Sequence, residues 1–441
     1  MARRRTYKLS WLWAVVVWGF LLGCAPHRVD LPPVPPWRIA EAETLPIPIA
    51  LHIAKDLRGH TEKTRLSTPY GGPLPYEFNV GEVMAAALEE QMRHIFKKVD
   101  ITDVASSLQS PPQAGLAGAM RIGFKKSPKE SSKESPKKSP FIDIRFEPDI
   151  IGTVAKANYE FEWEASFQDT EGTEHFRRSE VKGIKFSSEI ATMGDKSAFV
   201  PGIDGAIRNG LQQLSDAIIH DAPLRDFTEM TLVNEMKPGV VVIRAGSETG
   251  AGFIVHLSED AAYVVTAAHV LGSDEPPKVE FFTQQDPPFS ARVIGQGGKD
   301  LDLAILLVRG NLPSRLEPLQ LAPTMRLDEG AKVRVVGHPL FQGGAPWSVI
   351  EGIITYLEER DQDEKGQIIM APLRVAPFGV QGTLAGGNSG GPVIRAGKVV
   401  GLVTREVLEV RPDVRFENIV PTATILKFLE QWGVPIFKAG T

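Results

Sequence analysis

The sequence predicts a chain in two parts, an α/β N-terminal domain followed by an all-β domain with a closing helix, and three observations carry that prediction. Between about Trp37 and Asp221, strand-like alternation is interleaved with two long runs of helical spacing. From Val240 to about Val420, short Val-, Ile- and Leu-rich runs are separated by Gly, Pro and Asp turns, the mark of a sandwich or of barrels. Ala423 to Trp432 is amphipathic at the helical period. With 441 residues, 42% hydrophobic and 23% charged, the chain has room for two or three compact domains with sizeable cores. A net charge of −5 supplies no basic domain or stripe, which sets nucleic-acid binding aside.

In the first part, Leu45 to Ile53 reads as a strand, and Met84, Leu88, Met92, Ile95, Phe96 and Val99 recur at the spacing of a helix over about 81–98. Ala119 to Phe124 and Phe141 to Phe146 are expected to pair as strands. The intervening 125–140 is a run of Lys, Ser, Pro and Glu with nothing apolar to bury, and is expected to be a disordered hairpin extension. Tyr159, Phe161, Trp163, Ala165 and Phe167 alternate on one strand face. Ile207, Leu211, Leu214 and Ile218 mark a second helix over about 203–219. His52, His60, His94, His175 and His220 are scattered and show no metal-ligand spacing, so no metal or other cofactor is expected.

The chain begins with Arg3, Arg4, Arg5 and Lys8, then an apolar run from Trp11 that is short for a membrane span and ends at Leu21-Leu22-Gly23-Cys24. That ending resembles a bacterial lipobox, which implies cleavage of residues 1–23 and lipid attachment to Cys24. Cys24 is the only cysteine, so no internal disulfide can form. Ala25 follows it, not Asp, and the resemblance then implies the outer membrane, with the protein facing the periplasm. Residues 24–36, rich in proline from Leu31 to Pro36, are expected to form a semi-rigid extended spacer. The domain over 37–221 resembles, weakly and by topology alone, the small α/β domains of outer-membrane lipoproteins that assist envelope assembly or transport.

Residues 222–238 read as a connection. Beyond it, strands are expected at Val240–Arg244, Gly252–His256, Ala262–Thr266, Lys278–Phe282, Ala291–Gly295, Leu303–Val308, Lys332–Gly337, Ser348–Tyr356, Ile368–Ala371, Gly391–Ile394 and Val399–Thr404, with no internal repeat in sequence. Three short segments interrupt them in the order Thr266-Ala267-Ala268-His269-Val270, Asp300-Leu301-Asp302-Leu303-Ala304, and Gly386-Gly387-Asn388-Ser389-Gly390-Gly391-Pro392. A serine hydroxyl is a poor nucleophile. It needs a neutral imidazole to take its proton and a carboxylate to hold that imidazole in one tautomer, the roles that His269 and Asp302 suit. Glycines beside Ser389 let backbone amides turn toward a developing oxyanion.

The three segments, in this order, resemble the trypsin-like serine proteases, and the Gly-Asn-Ser-Gly-Gly form resembles the bacterial HtrA (Deg) branch. The resemblance covers roughly 238–432. It implies a double-barrel protease domain over 239–437, a serine endopeptidase with His269, Asp302 and Ser389 as its triad, an oxyanion hole from the amides of Gly387 and Ser389, and polypeptide substrates. It also places the specificity pocket near Thr383 and a substrate-facing strand near Thr404, Arg405 and Glu406. Thr383 is uncharged, which favours small or medium apolar side chains over Lys or Arg, unless Glu406 intrudes. Asp300 is expected to be a turn residue, His338 to lie in a turn at the start of the second barrel, and His256 to be exposed.

Where digestive members of the family carry an aspartate before the serine, this chain has neutral Asn388, so activation by a new N-terminal ammonium has no partner. Control by loop ordering or assembly is expected instead. No PDZ-type domain is expected after the barrels, and no oligomeric state is assigned. Two rival readings remain, a catalytically silent binding module and an assembly or transport accessory in which the first domain does the main work.

Overall fold

A computed structural model describes residues 26–40, 43–68, 71–102, 115–124, 142–149, 152–159, 161–182, 186–190, 200–272, 275–297, 301–322, 330–338, 346–354, 371–375, 387–411 and 414–436. The expected export signal, Cys24, the 125–140 run, Asp300 and Thr383 fall outside these residues. The chain forms two compact units, 1–228 and 229–441.

The first unit contains β1 (His27–Val29), β2 (Leu45–Ile53), β3 (Glu62–Thr68), β4 (Gly71–Phe78), helix α1 (Val80–Ile95), β5 (Phe96–Ile101), β6 (Gly118–Phe124), β7 (Ile142–Asp149), β8 (Gly152–Tyr159), β9 (Glu162–Asp169), β10 (Glu174–Lys182), β11 (Phe186–Ile190) and helix α2 (Val200–Ile219). Its main sheet has the order β10-β9-β6-β2-β5, with two short sheets, β1-β4-β3 and β11-β8-β7. β2 pairs in parallel with both β5 and β6, so it lies inside the sheet despite Pro46 and Pro48. Proline cannot donate to a ladder, and the β2–β5 register slips between Leu45 and Pro48. Helix α1 buries Met84, Leu88, Met92 and Ile95 in full. Phe161, Trp163, Ala165 and Phe167 line a buried strand face, and Gly210 of α2 lets the Phe161 ring approach where a Cβ would stand 2.5 Å away.

Four expectations change. β6 pairs with β2 and β9, which fill both of its edges, while β7 pairs with β8 in a separate sheet, so the two segments are not a hairpin. The first helix stops at Ile95, where Phe96 turns to extended backbone and the chain enters β5, so Phe96 and Val99 belong to a strand. The alternating run around Tyr159 is two strands, β8 and β9. The proline-rich segment is extended, but it packs down where a free spacer was expected. Leu31 and Val34 are buried, Leu31 N donates to Asn79 Oδ1 at 3.0 Å, and Gln91 accepts from Trp37 N and donates to Trp37 O.

Helix α3 (Ala222–Met236) runs through the expected connection. Beyond it the second unit holds β12 (Val240–Ala245), β13 (Glu248–Leu257), β14 (Ala261–Thr266), β15 (Lys278–Phe281), β16 (Gln284–Gln296) and β17 (Ala304–Arg309), closed as a barrel in the order β12-β13-β14-β17-β16-β15. A second closed barrel follows from β18 (Lys332–Gly337), β19 (Ser348–Ile354), β20 (Ala371–Val375), β21 (Pro392–Arg395), β22 (Lys398–Arg411) and β23 (Val414–Pro421), in the order β18-β19-β20-β23-β22-β21. The two barrels therefore repeat one strand order. Helix α4 (Thr422–Gln431) closes the unit, burying Ile425, Phe428 and Leu429. The expected strand at Ile368–Ala371 is instead β20, from Ala371, and β23 was not anticipated at all.

Candidate active site

His269, Asp302 and Ser389 each sit close to the end of a barrel strand. β14 ends at Thr266, whose hydroxyl donates to Ala251 O at 2.7 Å, and the chain then makes one 3-10 turn, Ala268–Leu271, carrying His269. Val270 in that turn is buried and anchors it to the first barrel. Asp302 precedes β17. Its loop is closed by Gly297 N donating to Leu303 O at 2.8 Å, and Leu303 is wholly buried. The result is a two-point hold. Asp302 Oδ1 accepts from His269 N at 2.9 Å, and Oδ2 lies 2.6 Å from His269 Nδ1. A carboxylate only accepts, so Nδ1 carries the proton and Nε2 of the neutral ring is left as a base. The two side chains are 26% and 18% exposed, open enough for a substrate to reach the ring.

Ser389 lies on the loop before β21. Gly387 and Gly390 take φ of +111° and +86°, a region that favours glycine. Gly390 N donates to Val403 O at 2.7 Å and Gly391 N to Asn388 O at 2.8 Å, while Ser389 O accepts from Ala251 N at 2.8 Å. A Cβ on Gly390 would stand 2.0 Å from Ala251 O and 2.3 Å from Thr266 Oγ1, so this loop seats directly on the strand end that leads to His269. Gly250 is a second shared neighbour: a Cβ there would meet both Val270 and Ser389 O. The bond from Gly391 N fixes the Asn388–Ser389 peptide. Among the described residues no carbonyl accepts from the amides of Gly387 or Ser389.

The structure thus joins His269 to Asp302 by hydrogen bonds and brings the Ser389 loop against the same strand. The hydroxyl does not complete the chain of contacts, because Ser389 Oγ donates to Thr404 O at 3.3 Å. The Thr404 residue is 2% exposed, so its carbonyl is the part that meets the site. Arg405 and Glu406 lie on β22, and their side chains are outside the described residues.

Two residues around the loop were underrated by sequence reasoning. Asn388 is 1% exposed with neither Oδ1 nor Nδ2 hydrogen-bonded, packed under Gly337, where a Cβ would be 2.2 Å from Oδ1. A neutral carboxamide is the form such a pocket tolerates, since an ionised carboxylate there would be a buried charge. His338 directly follows the last residue of β18. It is buried, and its amide donates to Gly387 O at 3.2 Å. His256 is half-buried edge-on to Tyr263, not exposed.

Away from the site, the scattered histidines are partnered: His52 with Thr102 O, His60 with Glu62, His94 with Glu90 O, His175 with Asp169 and His220 with Asp216 O. Among the described residues no group of three or more His, Cys, Asp or Glu could hold a metal, and no helix is long and apolar enough to cross a membrane.

The trypsin-like peptidase domain family matches residues 250–402. Proteins named "Serine protease HtrA-like" from Staphylococcus aureus strains USA300 and NCTC 8325 are 31% identical over 169 residues, which is 36% of this chain and 20% of theirs. The second unit therefore carries a trypsin-like peptidase domain over residues 250–402, similar in sequence to HtrA-like serine proteases. The chain spans about a fifth of the length of these curated relatives. Two solved structures overlap the peptidase domain: the Rv3671c protease from M. tuberculosis in its active form, at 26% identity and a TM-score of 0.34 over 46% of this chain and 85% of that one, and the serine endoprotease from Yersinia pestis, at 22% identity and 0.35 over 46% and 66%. The assignment rests on the two closed barrels and the sequence match.

Proposed function

We propose that this peptidase domain is an active serine endopeptidase that cleaves polypeptide substrates through an acyl-enzyme on Ser389. In this reading the Ser389 hydroxyl leaves Thr404 O, passes its proton to His269 Nε2 and attacks the scissile carbonyl. Asp302 keeps the resulting imidazolium oriented, and the amides of Gly387 and Ser389 receive the oxyanion. Collapse breaks the C–N bond, the leaving amine takes the proton from His269, and water repeats the sequence to free the acid. The substrate backbone would lie along β22 at Thr404, Arg405 and Glu406, with Thr383 near the pocket.

The observation that carries this reading is the two-point hold of His269 by Asp302, because it fixes the one tautomer in which Nε2 is left unprotonated as a base. The test is labelling of the full chain by a fluorophosphonate, with peptide hydrolysis measured alongside. Labelling lost in Ser389→Ala, with turnover down by on the order of 10⁴ to 10⁶, supports it. A second reading, a silent protease-fold binding module, draws on the Ser389 hydroxyl being bonded to Thr404 O. Absence of labelling in the native chain would decide for that reading.

For its address, we infer a bacterial lipoprotein anchored through Cys24 at the outer membrane, facing the periplasm, on the strength of Leu21-Leu22-Gly23-Cys24 followed by Ala25. Incorporation of labelled palmitate into the native chain and not into Cys24→Ser tests it. An uncleaved, unlipidated N-terminus would overturn it.

A further inference from the structure

The residue that holds the far side of the serine loop is His338. Its main-chain amide donates to Gly387 O at 3.2 Å, which aims the Gly387–Asn388 peptide. Gly387 is the residue proposed above to offer an oxyanion amide, so this bond acts on the same turn of chain. The preceding residue, Gly337, touches Asn388 as closely as its missing Cβ allows. The end of β18 therefore grips the loop at two successive residues.

The His338 ring is buried at the same place, 9% exposed, and its Nδ1 has no hydrogen-bond partner. A bare acceptor nitrogen in a buried neutral ring costs less than a buried charge. An added proton would place both a charge and an unsatisfied N–H in the junction. The charged groups that act on the ring are Arg244 of β12 and Glu280 of β15, bonded to each other by Arg244 Nε at 2.5 Å. Burial holds the His338 pKa below the ordinary histidine range, Arg244 pushes it the same way, and Glu280 opposes them.

We propose that His338 is a positioning residue for the serine loop: its ring, neutral and buried, keeps the His338 amide on the Gly387 carbonyl, and protonation of the ring releases that hold. The inference rests on the catalytic reading for its consequence in turnover, but not for the structural coupling itself. Two protons then abolish turnover in acid, one on His269 and one on His338. The second belongs to a residue that touches no substrate.

The test has two arms, both on the full chain. In the first, saturating-substrate kcat is followed to low pH in the native chain, His338→Met and His338→Gln. The native limb is expected to steepen toward about a hundredfold per pH unit, and both variants to about tenfold, since each protonation contributes one factor of ten per unit. In the second arm, carbonyl-¹³C glycine and ¹⁵N asparagine are combined. The sequence contains two Gly-Asn pairs, Gly310-Asn311 and Gly387-Asn388, so two amide signals survive and Asn311→Ser assigns them. The Asn388 signal is expected to titrate together with the His338 ring in the native chain and to lose that titration in His338→Met.

An Asn388 signal that stays fixed while the His338 ring titrates, or that titrates unchanged in His338→Met, overturns the proposal. So do superimposable acid limbs in an active enzyme. If fluorophosphonate never labels Ser389, the catalytic reading fails by itself, and the second arm still decides for or against His338.

Discussion

Asp302 grips His269 twice, its Oδ1 on the main-chain amide at 2.9 Å and its Oδ2 on the ring at 2.6 Å. One bond sets where the residue sits and the other sets which nitrogen is protonated. Asp302→Asn separates these effects. The carboxamide oxygen can still accept from the amide, but its NH₂ would face Nδ1 and favour the opposite tautomer. A fall in kcat on the order of 10⁴ is expected, with the thermal midpoint little changed, as measured by peptide hydrolysis and by calorimetry.

Gly390 and Gly433 both have positive φ, at +86° and +67°, yet only Gly390 is hemmed in, by Ala251 O and Thr266 Oγ1. Gly433→Ala should cost only the conformational penalty, about 1 kcal/mol. Gly390→Ala adds a backbone clash, so it should cost clearly more and end fluorophosphonate labelling as the loop lifts from β13. Denaturant midpoints read the first effect, and labelling reads the second.

Trp347 takes φ of +56°, uncommon for so large a residue, and is 4% exposed with Nε1 donating to Val240 O at 2.8 Å and its ring edge-on to Phe282. A residue just ahead of β19 thereby fastens to β12 of the other barrel. Trp347→Ala should destabilise the second unit by about 3–5 kcal/mol. Trp347→Phe, which keeps a ring and strands the carbonyl, should cost about 1–3 kcal/mol. Equal midpoints for native and Trp347→Ala proteins would refute the fastening role.

In the first unit, Glu62 is 1% exposed, pairs with His60 through Oε2 at 3.0 Å and leaves Oε1 without a hydrogen bond. Burial raises its pKa above the usual carboxyl value, and the His60 contacts only partly offset that. A pKa raised on folding means stability fully present below the unfolded value and lost as pH climbs through the folded one. Glu62→Gln removes that loss. Its stability relative to the native chain should improve from pH 4 to pH 7, and a difference constant over that range would contradict the assignment.

Gln91 is wholly buried and brackets the Trp37 main chain at N and O. Gln91→Ala should free the proline-rich segment and speed tryptic cleavage at Arg38 by roughly tenfold, the population change expected from about 1.4 kcal/mol. Cleavage at the native rate would mean that Leu31 and Val34 suffice to hold it.

The sequence made the serine loop legible because Gly387, Ser389 and Gly390 can be explained only by a backbone that must turn and approach closely. His269 and Asp302 were legible because each stands at the end of a strongly apolar strand. The pairing of β6 was misread because strand partners are chosen in three dimensions, and β2, whose Ile49 pairs with Gly118 far along the chain, was the better neighbour. The duplicated barrel order left no trace as a repeat, since strand order survives replacement of nearly every side chain. His338 and Asn388 look polar and ordinary in sequence. Only burial, with their nitrogens and oxygens stranded, marks them out.

The docked proline segment has a consequence for the reach of the first unit. From Cys24 to Val29, which is buried and paired with Phe78, there are five residues, and a fully extended chain spans at most about 3.6 Å for each. On the proposed lipidation, the leash is therefore under roughly 20 Å, a distance shorter than the width of the unit it holds. Such a body rides on the lipid headgroups and cannot sweep the space above them.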